Sequence, residues 1–229
     1  INDTKHQLHF EGLLNFINKV DLINIDLHDA KLNPLLMKNL GFKSYVSQSF
    51  QISPNKKESW KNNISHGRKY KINRGRKLFE ASNLNYTNEL SPNDIYNSLA
   101  FLAKQRGYEK YYTLDKERLI EGLTTCHSKK LMKFDGIIDE YGELIFSTVL
   151  AQDKNRNYYL SAGEKTNSSE FSHARNLIME KIIKETLEEN KWFDFEGSML
   201  SGVAKYFQSW GGQRIICHRF IKPNSLTGK

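Results

Sequence analysis

The chain has 229 residues, of which 38% are hydrophobic, and 34 Lys and Arg against 26 Asp and Glu give a formal net charge of +8. This length allows one well-packed domain, or one domain and part of another. The positive charge favours an anionic partner, such as nucleic acid, a phosphate-containing precursor or an acidic membrane surface. No run of about 18 apolar residues occurs, so no transmembrane segment is predicted. Cys126 and Cys217 lack the spacing of a metal site and predict a reducing compartment.

The first quarter of the chain alternates between helical and strand patterns. Apolar residues at helical spacing predict a helix over His9–Val20, and Leu22–Leu27 alternates as a strand. A short helix over Pro34–Leu40 and a strand over Tyr45–Ile52 follow. Because the chain begins with isoleucine and not methionine, we expect it to be a processed or truncated product.

A carboxylate lies near the end of the first predicted strand. Asp26 in this position could deprotonate or orient an acceptor amine as a general base. The alternative is that Asp26 caps a turn, and both interpretations stay open. We carry Asp26 forward as a candidate catalytic residue.

A basic helix is predicted next. Apolar residues recur at near-helical spacing between Trp60 and Phe79, with Gly67 and Gly75 as weak points in the helix. Arginine makes bidentate contacts with phosphate and lysine supplies a point charge, so this face could bind phosphate groups. The alternative is a solvated basic surface. The candidate phosphate-binding residues are Arg68, Lys69, Lys71 and Arg74.

The middle of the chain predicts a strand, two helices, three hairpin-linked strands and a long helix, which is an α/β order. The predicted bounds are Leu84–Glu89, Pro92–Arg106, Asp115–His127, Leu131–Asp139, Leu144–Gln152, Asn157–Ala162 and Ser172–Glu189.

The densest pattern lies between Trp192 and Phe220. Phenylalanines at 193 and 195 alternate with Asp194 and Glu196, as in a short strand, and Gly197 ends it. A helix with the apolar stripe Val203, Phe207 and Trp210 follows, then Gly211, Gly212 and a strand over Arg214–Ile221. Two carboxylates at the end of a strand and facing a helix start can form a site. Alternatively, they face solvent or cap backbone groups.

The segments FDFEGS and KYFQSWGG, followed by a strand, resemble the C-terminal signature of the Fem-type transferases, which belong to the GNAT-like acyltransferase superfamily. Fem-type proteins add amino acids from aminoacyl-tRNA to peptidoglycan precursors. The resemblance implies an α/β fold with a GNAT-like mixed, largely antiparallel sheet flanked by helices over residues 56–222. Residues 1–55 resemble the C-terminal remnant of a preceding GNAT-like half, and 223–229 form a tail. The chain departs from the family pattern at Glu196, Gln208 and Trp210, where Gly, Lys and Phe are usual.

The resemblance also implies site residues. Gln208 stands where the family lysine would stabilise an oxyanion, and Lys205 lies one helical turn earlier, so both are candidate catalytic residues with Asp26 and Glu196. No metal and no resident cofactor are expected. The candidate substrate-binding residues are Arg68, Lys69, Lys71, Arg74, Tyr159, Glu164, Lys165, His173, Asp194, Ser198 and Phe207.

The loop at 162–169 bears on the donor. In the superfamily, acyl-CoA users place a glycine-rich turn here, whose backbone N–H groups bind the pyrophosphate. This loop contains one glycine and is longer than that turn, which disfavours coenzyme A. The donor, aminoacyl-tRNA or an acyl-CoA or acyl carrier, stays open.

We therefore predict a bacterial, cytoplasmic N-acyltransferase, acting at the inner membrane surface or in solution, that transfers an aminoacyl or acyl group to an amine of a cell-wall or related acceptor. The predicted partner is an anionic substrate, either tRNA or a phosphate-containing precursor, with peripheral membrane association as a further expectation. Two alternatives stay open: a CoA-dependent acetyltransferase, and a catalytically silent basic module that binds RNA or anionic lipid.

Overall fold

A computed structural model describes residues 22–27, 34–39, 41–107, 109, 115–165 and 169–223. The backbone packs as two compact units, residues 1–49 with 215–229, and residues 50–214. The predicted helix His9–Val20 and most of the predicted tail lie outside the described residues. The predicted domain bounds near residues 55 and 222 stay predictions.

The described chain contains both strands and helices. The strands are β1 (Leu22–Leu27), β2 (Lys43–Ile52), β3 (Asn85–Thr87), β4 (Met132–Ile138), β5 (Leu144–Gln152), β6 (Arg156–Glu164), β7 (Trp192–Asp194) and β8 (Gln213–Pro223). The helices are α1 (Pro34–Asn39), α2 (His66–Ala81), α3 (Pro92–Gln105), α4 (Lys116–Ser128), α5 (Arg175–Glu188) and α6 (Ser201–Ser209). Short 3-10 helices cover Pro54–Lys56, Trp60–Asn63 and Ser169–His173.

The first unit is built on the antiparallel pair of β1 and β8. Their register runs from Leu22 opposite Pro223 to Leu27 opposite His218. The first part of β2 lies on the other side of β8. There the Ser47 hydroxyl donates to the Cys217 carbonyl at 3.4 Å.

The second unit contains a mixed sheet in the order β7-β6-β5-β4-β3. The pairs β3–β4, β4–β5 and β5–β6 are antiparallel, whereas β6 and β7 are parallel. The end of β2 adds an antiparallel partner to β7, with Gln51 opposite Asp194 and Ile52 opposite Phe193. The sheet is therefore antiparallel except at one pair.

Two hydrophobic clusters cover the sheet of the second unit. Adjacent residues of β5 belong to different clusters, Val149 to one and Leu150 to the other. Because successive side chains of a strand point to opposite faces, the clusters lie on the two faces of the sheet. One cluster packs around α3 and α4, and the other holds the apolar residues of α5 and α6, including Ile182 and Trp210.

Most helix and strand positions agree with the sequence patterns, and several details differ. The predicted loop at 162–169 begins later, because β6 continues through Ala162 and Gly163 to Glu164. The basic helix begins only at His66, because the Ser65 hydroxyl accepts from Arg68 N–H as an N-cap and separates it from the 3-10 helix at Trp60–Asn63. The predicted strand around Asp194 is only three residues long. The predicted weak point at Gly75 is a contact point, since a Cβ there would lie 2.6 Å from the His173 carbonyl oxygen.

No helix within the described ranges combines the length and the hydrophobicity needed to cross a membrane.

Candidate active site

The two parallel strands of the second unit part after a short contact. They pair at three positions, from Arg156 opposite Trp192 to Tyr158 opposite Asp194. Strand β7 ends there, but β6 continues to Glu164. Beyond Tyr158, this edge of β6 has no strand partner within the described residues. An unpaired edge presents free backbone N–H and C=O groups.

A β-bulge lies in the unpaired stretch of β6. On β5, Val149 is opposite Ser161 and Leu150 is opposite Tyr159, so Leu160 is an extra residue with no opposing partner on β5. A bulge bends its strand and changes the direction of the backbone groups around it. Some N–H and C=O groups of β6 are therefore directed differently from those of a regular strand at this point.

A buried carboxylate joins the strands where they begin to part. The Asp194 side chain is fully buried and accepts hydrogen bonds from Gln51 Nε2 at 2.5 Å, Arg156 Nη1 at 3.0 Å and the Glu196 N–H at 2.9 Å. These bonds link β2, β6 and the chain after β7. The chain then turns away through Glu196 and Gly197, whose φ values are 58° and 76°. Asp194 thus fixes the apex from which the two strands diverge.

A cavity of ≈410 Å³ lies beside the unpaired edge of β6. Its wall is mainly apolar and comes from α3, β5, β6, α5 and α6. Such a mostly apolar cleft with a few polar groups is typical of a small-molecule site. Its polar and charged lining residues are Arg106, Ser147, Thr148, Tyr159, Ser161, Glu164, Arg175 and Tyr206.

Two tyrosines, Tyr159 and Tyr206, line the cavity. Burial raises the pKa of Tyr159 and the pKa of Tyr206 above the ordinary value for tyrosine. Both hydroxyls therefore stay protonated at neutral pH and can donate hydrogen bonds. The Tyr159 ring packs edge-on against Phe207 with centroids 6.3 Å apart, which holds its orientation.

The charged groups of the cavity are one carboxylate and two guanidinium groups. Arg175 Nη1 lies 3.3 Å from Glu164 Oε1, and Arg106 is exposed. The Ser147 hydroxyl is 2.6 Å from the Ser98 hydroxyl. None of the lining residues in the described part of the chain is Cys or His.

The predicted site residues fall into three groups. Tyr159, Glu164 and Phe207 line the cavity. Arg68, Lys71 and His173 line a smaller neighbouring pocket. The remaining predicted site residues lie elsewhere. Lys69 and Arg74 are exposed on α2, Lys205 and Gln208 are exposed on α6, and Glu196 is also exposed. Lys165 lies 3.4 Å from Glu143, Asp194 is buried at the apex, and the Ser198 hydroxyl accepts from Leu200 N–H.

The side chain of Asp26 lies outside the described residues, although its backbone forms part of β1. The catalytic roles of Asp26, Glu196, Lys205 and Gln208 stay predictions, as do the substrate contacts. Within the described residues, no three His, Cys, Asp or Glu side chains are arranged to hold a metal ion.

The structure adds Arg106, Arg175, Gly202 and Tyr206 to the site. Sequence reasoning missed Arg106 and Arg175 because both are isolated cations at helix ends, a position that usually indicates only a surface residue. Tyr206 lies within the segment KYFQSWGG, next to Phe207, and that neighbourhood was the available signal.

No family model matches the chain, and no curated protein sequence matches it. Solved structures do match. FemX superposes with a TM-score of 0.64 at 12% identity, over 94% of this chain and 76% of FemX. A conserved protein of unknown function from Bacteroides thetaiotaomicron VPI-5482 gives a TM-score of 0.58 at 12% identity, over 93% of this chain and 66% of that protein. A tandem GNAT protein from the clavulanic acid biosynthesis pathway gives a TM-score of 0.51 at 8% identity, over 90% of this chain and 65% of that protein.

The fold is GNAT-like. The predicted fold class, a mixed and largely antiparallel sheet flanked by helices, is confirmed. The chain spans 66%, 76% and 65% of the lengths of the Bacteroides protein, FemX and the tandem GNAT protein. In the GNAT-like fold of this chain, the cavity lies beside the stretch of β6 that continues beyond its pairing with β7.

Proposed function

We propose that this protein is an N-acyltransferase that moves an acyl or aminoacyl group from an activated ester or thioester to an amine. The observation that carries the proposal is the cavity of ≈410 Å³ along the unpaired, bulged edge of β6. An extended acyl arm can pair with such an edge through its amide groups, as an added strand does. Its carbonyl would then lie among backbone donors.

The transfer needs one bond to form and one to break. The amine nitrogen attacks the carbonyl carbon, the bond from that carbon to the leaving oxygen or sulfur breaks, and one proton leaves the amine while one reaches the leaving group. Negative charge develops on the carbonyl oxygen in the transition state. A backbone N–H on the open edge between Tyr159 and Ala162 would donate to that oxygen, and one such donor is worth roughly 100- to 1,000-fold in rate.

We assign the leaving-group proton to Tyr206. Tyr206 lines both the cavity and the smaller pocket beside it, and burial raises its pKa, so its phenol is protonated at neutral pH. A protonated phenol at this point can act as a general acid toward a departing oxygen. Much of the remaining rate enhancement would come from holding the amine and the carbonyl in position.

For the donor we favour an aminoacyl ester of the Fem type, with an amine of a cell-wall precursor as the acceptor. Three observations support this choice: the segments FDFEGS and KYFQSWGG, the similarity of the fold to FemX, and the net charge of +8, which favours an anionic substrate. Gly163 belongs to strand β6, and residues 165–174 contain no glycine, so the sequence between β6 and α5 lacks the glycine-rich turn that would bind the pyrophosphate of coenzyme A.

The experiment is a donor screen followed by a transfer assay. The whole chain is heated with acyl-CoAs, aminoacyl-tRNA or nucleotide-linked muropeptides, because a ligand at about 100 times its Kd adds roughly 2.7 kcal/mol to stability. Stabilising donors are then tested for transfer of labelled acyl groups to amines. We expect turnover with aminoacyl-tRNA and a loss of at least about tenfold in Tyr206→Phe, as for removal of a general acid. Turnover only with acyl-CoA would contradict the proposed aminoacyl donor. No turnover with any pair of donor and amine would contradict the proposal that the protein is an acyltransferase.

A further inference from the structure

A second, smaller pocket lies beside the cavity. Its volume is ≈280 Å³, and it shares Arg175 and Tyr206 with the cavity. Its described lining contains four basic residues, since Arg68, Lys71 and His173 join Arg175, and it contains no acidic residue. Ser172 and Asn176 complete the wall. We refer to this space as the basic pocket.

Arg68 is held rigidly in the basic pocket without a counter-charge. Its Nε donates to the Ser209 hydroxyl at 3.0 Å, its Nη1 donates to Asn176 Oδ1 at 2.5 Å, and its guanidinium carbon lies 4.4 Å from the centre of the Tyr206 ring. All three partners are neutral, and no carboxylate pairs with Arg68 in the described part of the chain. Burial lowers its pKa, with a further lowering from Arg175. A partly buried cation of this kind gains from a bound anion.

The other cations leave a net positive charge. Lys71 is exposed and forms no ion pair with any described residue. Arg175 is paired with Glu164, which lines the cavity but not the basic pocket. Burial and then the charges of Arg74, Lys71 and Arg175 lower the pKa of His173, so this imidazole is neutral at pH 7 in the unliganded protein.

We propose that the basic pocket binds a phosphate group of the substrate whose reacting end occupies the cavity. Arginine offers parallel N–H donors and lysine a mobile point charge, the combination that recognises phosphate. The inference rests on the proposed function, because it makes the basic pocket the anchor of the substrate in the cavity. The phosphate chemistry is shared by two sources, a phosphodiester of RNA and the diphosphate of a nucleotide-linked precursor.

Inorganic phosphate is the first probe, since it requires no catalysis. Binding to the whole chain is measured by calorimetry for the wild type, Lys71→Gln and Lys77→Gln. Both lysines are exposed on α2, so the two variants lose the same charge. Only Lys71 lines the basic pocket, which makes Lys77→Gln the matched control. We expect Lys71→Gln to weaken phosphate binding about tenfold and Lys77→Gln by less than about twofold, the scale of one charge-assisted hydrogen bond. Equal weakening of phosphate binding in both variants would mean that phosphate binds to a diffuse basic surface, and would overturn the assignment of phosphate to the basic pocket.

The imidazole of His173 reports on occupancy. Lys71 and Arg74 face it from α2 and Arg175 faces it from α5, and their charges lower its pKa. A bound phosphate compensates those charges, so the pKa of His173 measured by NMR should rise when phosphate is added. An unchanged His173 titration at phosphate concentrations that saturate the calorimetric signal would place the anion elsewhere and overturn the proposal.

Competition then identifies the source. A short oligoribonucleotide and a nucleoside diphosphate are each tested for displacement of phosphate in the wild type and in Lys71→Gln. Displacement by the oligoribonucleotide assigns the basic pocket to an RNA donor, and displacement by the diphosphate assigns it to a nucleotide-linked acceptor. Phosphate binding that neither probe displaces would overturn the link to the substrate. Because these measurements need no turnover, their failure is distinguishable from the failure of the proposed acyl transfer.

Discussion

Filling the cavity from α6 gives the sharpest test of the site. Gly202 lies in the first turn of α6, lines the cavity and is exposed. A Cβ at this position would meet no atom within 4 Å, and its backbone is not in the left-handed region. A large side chain can therefore enter the space at Gly202 without displacing the backbone. The variant we choose is Gly202→Trp.

The magnitudes follow from the helix and from the cavity. The full penalty for glycine, about 1 kcal/mol relative to alanine, applies in a helix interior, and tryptophan lies between the two residues in helix propensity, so in the first turn Gly202→Trp should raise stability by at most a few tenths of a kcal/mol. For a chain of this size that raises Tm by about 1 °C or less. An indole ring buries about 150–250 Å² of surface and would take up much of a cavity of ≈410 Å³. Because a displacement of about 1 Å already costs roughly 100-fold, transfer should fall by at least that factor.

The assay compares transfer rate and Tm for the wild type, Gly202→Trp and Gly122→Trp. Gly122 is the matched control, because it is an exposed helical glycine in α4 with open space around its Cβ and it does not line the cavity. We expect both variants to keep or raise Tm and only Gly202→Trp to lose transfer. Full activity in Gly202→Trp, with Tm unchanged, would refute the assignment of this cavity to the reaction.

Three further predictions concern the apex, α6 and a lysine-bonded carboxylate. Asp194→Ala should cost about 3–5 kcal/mol in the free energy of unfolding, because it leaves Arg156 largely buried without its partner. Gln208→Ala separates two oxyanion donors: donation by the backbone of β6 predicts nearly unchanged turnover, whereas the sequence-based role of Gln208 predicts a loss of about 10- to 1,000-fold, with Tm nearly unchanged in both cases because the side chain is exposed. Burial acts to raise the pKa of Glu185, but hydrogen bonds from two lysines outweigh burial and lower that pKa. Glu185→Gln should therefore cost more stability at pH 7 than near pH 3.

Each of these predictions has its own check. Urea unfolding of Asp194→Ala is compared with Asp115→Ala, whose ion pair is exposed and worth under about 1 kcal/mol; equal losses would contradict the apex argument. Unchanged turnover in Gln208→Ala would remove that residue from the mechanism. The sign for Glu185 is fixed by its lowered pKa: its stabilisation is present above the unfolded value of about 4.3 and is lost as pH falls through the folded value. An equal cost at both pH values would contradict it.

Much of the secondary structure could be predicted from local patterns. The bounds of β1 agree with the alternation of apolar residues in Leu22–Leu27, and those of β5 agree with the predicted hairpin-linked strand Leu144–Gln152. The predicted start of α3 at Pro92 agrees with the structure, which shows a capping box between Ser91 and Asp94. These features were predictable because hydrogen bonds and side-chain alternation within a few residues decide them.

The site depended on long-range packing. Alternation placed Asp194 on the polar face of a strand, but β7 lies between β2 and β6, and the carboxylate is buried against Arg156. Gly75 was predicted to weaken α2, yet the close approach of the His173 carbonyl allows no larger residue there.

The cavity itself is a product of tertiary structure. It combines Arg106 from the end of α3, Tyr159 from β6, Arg175 from α5 and Tyr206 from α6. A periodic pattern tells which face of an element is apolar, but it carries no information about where two parallel strands stop pairing. That point is decided by the bulge at Leu160 and the turn after Asp194, and it places the four side chains around one space.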